Sequence, residues 1–252
     1  PVQIHWYGLT YLAGLAFAWG LAARRSTRAD SPLERQQVDD LLFYAALGVV
    51  LGGRMGYAIF YGGERLAQDP TWLLRVWEGG MSFHGGMLGV FLGMYWFGRK
   101  IGYTFFQVTD FIAPSIPIAL GCGRIGNFIN GELPGRITEV PWAVIFPGET
   151  LARHPSSLYQ AALEGPVLFL ILWLYGQANR PVMAMSGMFL IGYGLLRFTS
   201  EFFRRPDLHM GTEGFIAFDW LTTGQLLSVP MVLFGIAFIV YSYRQLATSA
   251  NS

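Results

Sequence analysis

The densest group of polar residues in this sequence is a glycine-rich run at residues 121–135, Gly-Cys-Gly-Arg-Ile-Gly-Asn-Phe-Ile-Asn-Gly-Glu-Leu-Pro-Gly. Glycines expose backbone N–H groups, and the guanidinium of Arg124 offers five donors in a planar fork that suits phosphate oxygens. Asn127, Asn130 and Glu132 add amide and carboxylate partners nearby. The run predicts an anion-binding site, and because it ends an apolar stretch, we expect the anion to be a lipid phosphate.

Further ionisable side chains interrupt apolar stretches elsewhere in the chain. Arg54 and Arg197 lie within such stretches, and Glu201 follows Arg197 by four residues. An ionisable group at membrane depth costs at least about 2.5–3.5 kcal/mol, so such residues usually serve a function. For Arg197 and Glu201, a plain i,i+4 ion pair explains the spacing equally well. For Arg54 we expect a structural role, with its charge neutralised by Asp110 or Glu164.

Two other residues could assist the chemistry of an anion site. Tyr193 precedes Arg197 by four residues and therefore shares its face of a helix. His84 stands before two glycines at the start of another apolar stretch. Histidine is the side chain best suited to accept a proton near neutral pH, although a lone histidine can equally be structural. The single cysteine, Cys122, is expected to be a small buried residue without a chemical role.

The composition of the chain indicates which elements position these residues. Of 252 residues, 53% are hydrophobic and only 13% are charged, whereas a soluble domain carries about 25% charged residues. This balance excludes a soluble globule and a disordered chain. A net charge of +1 without a basic stripe argues against nucleic-acid binding. We therefore expect an all-α integral membrane protein that forms one polytopic domain over residues 1–252.

Seven stretches are long and apolar enough to cross about 30 Å of hydrocarbon as helices. Arginines and lysines concentrate in the loops on one side, which predicts a periplasmic N-terminus and a cytoplasmic C-terminus. We expect the first span to be retained rather than cleaved as a signal peptide. Residues 129–155 are too polar to cross and predict a small extracytoplasmic head between helices four and five, with strand-like pieces such as residues 142–146. The seven predicted spans cover residues 5–23, 41–61, 81–98, 104–123, 157–178, 182–203 and 220–243.

Glycines recur at every fourth position in the second and third predicted spans. In a bilayer, small residues at this spacing let helix backbones approach closely. The pattern predicts close helix packing and needs no chemical explanation. The glycines concerned are Gly48, Gly52, Gly56, Gly85, Gly89 and Gly93.

The residues that carry these features resemble a known family. Residues 123–135, Gly-Arg-Ile-Gly-Asn-Phe-Ile-Asn-Gly-Glu-Leu-Pro-Gly, are similar to the signature of the bacterial prolipoprotein diacylglyceryl transferases, without a departure. The resemblance extends over nearly the whole chain through further motifs in the same order. These lie at residues 5–9, 52–54, 79–86, 153–156 and 192–194, followed by Arg197, Glu201 and Arg204.

The resemblance implies a seven-helix transferase of the bacterial inner membrane that uses no metal and no organic cofactor. Such an enzyme moves the diacylglyceryl group of phosphatidylglycerol onto the thiol of a lipobox cysteine in a prolipoprotein signal peptide. The products are a thioether-linked prolipoprotein and glycerol phosphate. The functional residues that the resemblance implies are Tyr7, His84, Arg124, Asn127, Glu132, Gly135, Tyr193, Arg197, Glu201 and Arg204.

For this reaction we expect Arg124 and Arg197 to bind the phosphate, where negative charge gathers as the carbon–oxygen bond opens. His84 is the expected base for the thiol, and direct stabilisation of the thiolate by an arginine is the rival explanation. An anion or lipid-headgroup transporter, in which the same arginines bind and nothing reacts, is the alternative function. Expected headgroup contacts are Tyr7, Arg124, Asn127, Gly135, Tyr193 and Arg197, and expected supporting residues are Arg54, Glu132, Glu201 and Arg204.

Overall fold

The computed structural model describes residues 6–28, 31–206, 215, 217, 218 and 220–250, except for the side chains of Tyr7 and Ala250. The regular secondary structure of these residues is helical, as the composition predicts. The helices are α1 (Trp6–Ser26), α2 (Arg35–Phe60), α3 (Gly63–Gln68), α4 (Phe83–Ile101), α5 (Phe105–Ile112), α6 (Ile116–Ile129), α7 (Ser156–Ala162), α8 (Leu168–Tyr175), α9 (Ala184–Ser200) and α10 (Thr223–Ala250). Short 3-10 turns form at Pro70–Leu74, Val76–Glu78 and Ala113–Ser115, and a π turn forms at Leu163–Val167.

Helices form at each of the seven apolar stretches, although His5, where the first predicted span begins, lies outside the described residues. In the described part of the chain, four helical segments are both long and apolar enough to cross a membrane. Two of them continue through prolines, α5 into α6 by way of a 3-10 turn and α7 into α8 by way of the π turn. The protein is thus a helical membrane protein. The four segments are Arg35–Phe60, Phe105–Ile129, Ser156–Tyr175 and Thr223–Ser249.

The chain groups into two compact units, Ala23–Thr109 on the one hand and Pro1–Ala22 with Asp110–Ser252 on the other. In the Ala23–Thr109 unit, α2 packs along α4 through the glycine stripes. A Cβ atom on Gly52 would lie 2.3 Å from the carbonyl oxygen of Gly85. The glycines therefore allow the two backbones to touch, whereas a side chain at these positions would keep them apart. This contact confirms the prediction of close packing.

Arg54 is buried in α2 and binds the loop between α2 and α4. Its five N–H groups donate to five backbone carbonyls, and its guanidinium carbon lies 4.3 Å from the centroid of the Trp72 ring. The expectation that Asp110 or Glu164 neutralises Arg54 is therefore wrong. Main-chain dipoles of the loop stabilise this charge instead. The carbonyls belong to Trp72, Leu73, Arg75, Gly79 and Gly80.

Asp110, in the larger unit, caps the start of α9. Its carboxylate accepts the N–H groups of Met183 and Ser186, each at 2.7 Å, and the Ser186 hydroxyl at 2.5 Å. A carboxylate is favourable there because the first N–H groups of a helix lack partners within it and the helix dipole is positive at that end. This acidic residue of an apolar stretch therefore has a structural explanation.

The segment between α6 and α7 is ordered but forms no regular strand within the described residues. Its extended pieces meet in isolated antiparallel bridges, in which Arg153 pairs with both Ile137 and Val144. Phe146 is buried, and its ring packs edge-on against that of Phe128, with centroids 6.0 Å apart. The strand-like pieces predicted from sequence are thus single bridges, and one aromatic contact ties the segment to the end of α6.

Candidate active site

Five charged residues of the larger unit form one group, which we call the charge cluster. They are Arg124, Glu164, Arg197, Glu201 and Arg204. Nε of Arg124 lies 2.9 Å from Glu164, and Nη1 of Arg197 lies 3.5 Å from the other oxygen of Glu164. Arg197 also pairs with Glu201 at 2.5 Å, which confirms the i,i+4 ion pair. Arg204 pairs with the same Glu201 oxygen at 3.2 Å. Arg124 and Arg197, predicted from different stretches, therefore share one carboxylate.

The charge cluster carries one net positive charge, because three guanidinium groups face two carboxylates. Glu164 is completely buried, whereas 22% of the Arg124 side chain is exposed. Its ion pair with Glu164 uses Nε, and Tyr193 lies near this guanidinium. An uncompensated charge in a desolvated site is costly. The exposed part of the Arg124 side chain is therefore where an anion would contact the cluster.

A backbone contact between α6 and the π turn places Arg124 beside Glu164. A Cβ atom on Gly121 would lie 3.1 Å from the Cα atom of Gly165, so the two segments touch without side chains between them. Arg124 follows Gly121 by about one helical turn, and Glu164 directly precedes Gly165. Pro166 lacks an N–H group and lies inside the π turn. Such turns occur frequently at functional sites because they redirect side chains.

Glu201 is held by the chain that leads into α10. The hydroxyl of Thr222 donates to Glu201 at 3.0 Å. A Cβ atom on Gly224 would lie 2.6 Å from the carboxyl carbon of Glu201, so a side chain at this position would displace the Glu201 carboxylate. The contact between the end of α9 and the start of α10 therefore fixes Glu201 and, through it, Arg197 and Arg204.

The signature run reverses direction after α6 and engages Glu132. The amide of Asn127 donates to one carboxylate oxygen at 2.7 Å, and that of Asn130 donates to the other at 3.2 Å. Gly131 and Leu133 have φ angles of +70° and +55°. The left-handed conformation costs a non-glycine residue such as Leu133 about 1–2 kcal/mol. The reversal is therefore strained, and it places Glu132 where it orients both amides.

Gly135 follows this reversal and pairs with Arg204 in an antiparallel bridge. Its N–H group donates to the carbonyl of His154 at 3.0 Å, and its carbonyl accepts from Arg153 at 3.1 Å. A Cβ atom would lie 2.3 Å from the His154 carbonyl oxygen and 2.7 Å from that of Phe203. The position thus requires glycine, and its backbone groups are used within the protein.

Two other predicted site residues remain to be placed. His84 lies at the start of α4 in the smaller unit, where it is exposed and its ring stands edge-on to Phe83 at 5.6 Å. The side chain of Tyr7 lies outside the described residues. Glu164, by contrast, was not predicted as a site residue. It is the only residue of the stretch 157–178 that is charged at neutral pH, which is the signal that could have identified it.

These observations define a helical membrane protein with a largely buried group of arginines and glutamates between its helices. The family model of prolipoprotein diacylglyceryl transferase matches residues 1–241. The chain belongs to this family, which confirms the resemblance of its motifs.

Relatives named phosphatidylglycerol–prolipoprotein diacylglyceryl transferase are similar over most of their length. That of Ectopseudomonas mendocina is 55% identical over 247 residues, which cover 97% of this chain and 92% of the relative. That of Chromohalobacter salexigens is 56% identical over 246 residues, covering 97% and 90%. That of Pseudomonas paraeruginosa is 54% identical over 246 residues, covering 97% and 91%.

Proposed function

We propose that this protein transfers the diacylglyceryl group of phosphatidylglycerol to the lipobox cysteine of prolipoproteins. The observation that carries the proposal is the pairing of Arg124 and Arg197 with one buried carboxylate, Glu164. It creates a site with one net positive charge, which matches the single negative charge of a phosphodiester. The names of the relatives give the same two substrates.

In this proposal, the charge cluster holds the phosphate of the lipid. Arg124 and Arg197 contact its oxygens, and Asn127 and Tyr193 hydrogen-bond to the headgroup. Support comes from the geometry, because Tyr193 lies near Arg124 and Glu132 already orients Asn127. Tyr7 and Gly135 are the remaining proposed headgroup positions, and Arg54, Glu132, Glu201 and Arg204 are proposed supporting residues.

The reaction forms one carbon–sulfur bond and breaks one carbon–oxygen bond. The sulfur of the peptide attacks the glycerol carbon that carries the phosphate ester, and the electron pair of the broken bond leaves on glycerol phosphate. Arginines already in place around that phosphate stabilise the developing charge without reorganising. The thiol must lose its proton, because the thiolate is the nucleophile. His84 is the proposed acceptor of this proton.

We further propose seven membrane passes, formed by α1, α2, α4, α5–α6, α7–α8, α9 and α10. The N-terminus is then periplasmic, the C-terminus is cytoplasmic, and residues 129–155 form a small head outside the bacterial inner membrane. Four of these segments have the length and the hydropathy of a membrane span, which supports the passes. The arginines and lysines in the loops between the passes support the orientation.

The proposed function is tested by incubating the purified protein with phosphatidylglycerol and a synthetic lipobox peptide. We expect the peptide to gain the mass of a diacylglyceryl group and glycerol phosphate to appear in equal amount. A peptide with serine in place of the lipobox cysteine is the control and should stay unmodified. Flux of anions or headgroups across liposomes without peptide modification would favour the transporter instead.

Substitution of His84 by glutamine tests the proposed base. We expect His84→Gln to lower kcat by about 10²–10⁴-fold near neutral pH, the usual contribution of a general base. An imidazole base is lost on protonation, so the rate of the unaltered enzyme should fall on the acidic side and the variant should lack this fall. The measurement is kcat/KM against pH, with Phe83→Leu as the neighbouring control. An unchanged profile in His84→Gln would favour an arginine-stabilised thiolate.

A further inference from the structure

Residues 153–157, Arg-His-Pro-Ser-Ser, form a motif that the proposed reaction leaves without a role. We infer that this segment, which we call the clamp, holds the signature loop at residues 131–135 in its working conformation. Ser156 and Ser157 are then positioning residues for the transfer reaction. The inference rests on the proposed function, because the loop acts through the Asn127–Glu132 pair of that site.

Two successive serines of the clamp bind two successive carbonyls of the signature loop. The hydroxyl of Ser156 donates to the carbonyl of Leu133 at 2.7 Å, and that of Ser157 donates to the carbonyl of Glu132 at 3.1 Å. Both serines are fully buried. Each hydrogen bond is formed only when its carbonyl faces the serine, so each hydroxyl favours one conformation of the loop.

The first half of the clamp binds the end of the same loop. Arg153 donates from Nη1 to the carbonyl of Gly135 at 3.1 Å, and the carbonyl of His154 accepts the N–H of Gly135 at 3.0 Å. Arg153 is itself only 9% exposed and is paired with Glu149 at 2.9 Å. The clamp therefore binds three carbonyls and one N–H group within four consecutive residues of the loop.

The signature loop needs such contacts because its own backbone is strained. Leu133 has a φ angle of +55°, which a branched side chain rarely adopts and which persists only where the surroundings impose it. Directly before it stands Glu132, whose carboxylate accepts the Asn127 amide at 2.7 Å. The clamp thus fixes the strained residue, the strained residue fixes Glu132, and Glu132 orients Asn127 for the lipid headgroup.

The test is the double variant Ser156→Ala/Ser157→Ala in the peptide-lipidation assay. We expect kcat/KM for phosphatidylglycerol to fall about 10-fold, from the loss of two part-buried hydrogen bonds. Ser157→Thr keeps the hydroxyl and should retain most of the activity. Ser242→Ala is the matched control, because Ser242 is equally buried but its hydroxyl bonds to Ile239 of its own helix. Where the double variant does not accumulate, each single variant replaces it, with about a 3-fold fall expected.

A double-mutant cycle with Glu132→Gln separates positioning from a merely structural role. If the serines act through Glu132, their removal should lower kcat/KM less than about 2-fold once Glu132→Gln is present. An additive loss would overturn the inference, and so would a lower melting temperature with unchanged activity per folded molecule. If the parent chain is active and the serine variants are equally active, the inference about the clamp is wrong, whereas the proposed function is retained. A parent chain that lipidates no peptide would overturn the proposed function, and the clamp's role in transfer with it.

Discussion

Arg124→Ala should lower kcat/KM for diacylglyceryl transfer by about 10²–10³-fold, the usual cost of removing one preorganised donor from a developing negative charge. The variant loses the partly exposed side chain of Arg124, and the formal net charge of the five cluster side chains falls from +1 to zero. Arg197 remains 3.5 Å from Glu164, so the buried carboxylate keeps one partner and the protein should still fold. The measurements are the initial rate of peptide lipidation and the thermal unfolding of the purified variant.

Arg124→Lys tests whether positive charge at this position is sufficient for activity. Lysine restores the charge but not the planar fork, which uses Nε for Glu164 and offers further donors to the phosphate. We expect it to recover little of the lost activity. Arg180→Ala is the control, because that guanidinium contacts the Tyr175 carbonyl and the Tyr243 hydroxyl instead. Near-normal transfer by Arg124→Ala would refute phosphate binding by this residue.

Glu164→Gln should lower kcat by about 10–100-fold without raising KM for phosphatidylglycerol. Glu164 is fully buried, so it does not compete with the lipid for the arginines at the exposed side. Its loss takes the net charge of the cluster from +1 to +2, which favours binding of an anion. Arg124 and Arg197, however, lose the carboxylate that holds them together. Binding is therefore retained while the geometry required for the bond change is lost.

Steady-state kinetics with varied phosphatidylglycerol separate the two effects for Glu164→Gln. Asp110→Asn is the matched control, because it also removes a carboxylate from the same unit but one that caps α9. This control should lower the melting temperature and leave kcat largely unchanged. A rise in KM with constant kcat in Glu164→Gln would show that the carboxylate contributes to binding, contrary to the expected positioning role.

The helices and the identity of the charged residues could be predicted from sequence to a large extent. Ionisable side chains stand out in an apolar background, which is why Arg124, Arg197 and Glu201 were identified by type alone. That Arg124 and Arg197 share Glu164 could not be predicted, because the contact depends on the close approach of Gly121 and Gly165. A glycine pair shows that two helices touch, but not which two.

The partners of Arg54 show a different limit of sequence analysis. Sequence patterns display side chains, so a carboxylate was expected beside this arginine. Its partners are backbone carbonyls, which every residue carries and no pattern reveals. Residues 142–146 show a third limit. The sequence predicts strand-like pieces there, yet within the described residues Val144 is bridged only to Arg153, which also pairs with Ile137, and no ladder extends from it.

The five oxygens around Arg54 give the loop between α2 and α4 an internal chelation centre, in which a guanidinium takes the place that a calcium ion has in a metal-binding loop. All of its ligands are main-chain atoms. The conformation of residues 72–80 is therefore encoded mainly by one residue of a neighbouring helix. Loss of that one arginine would therefore leave five carbonyls of the loop without their donor at once.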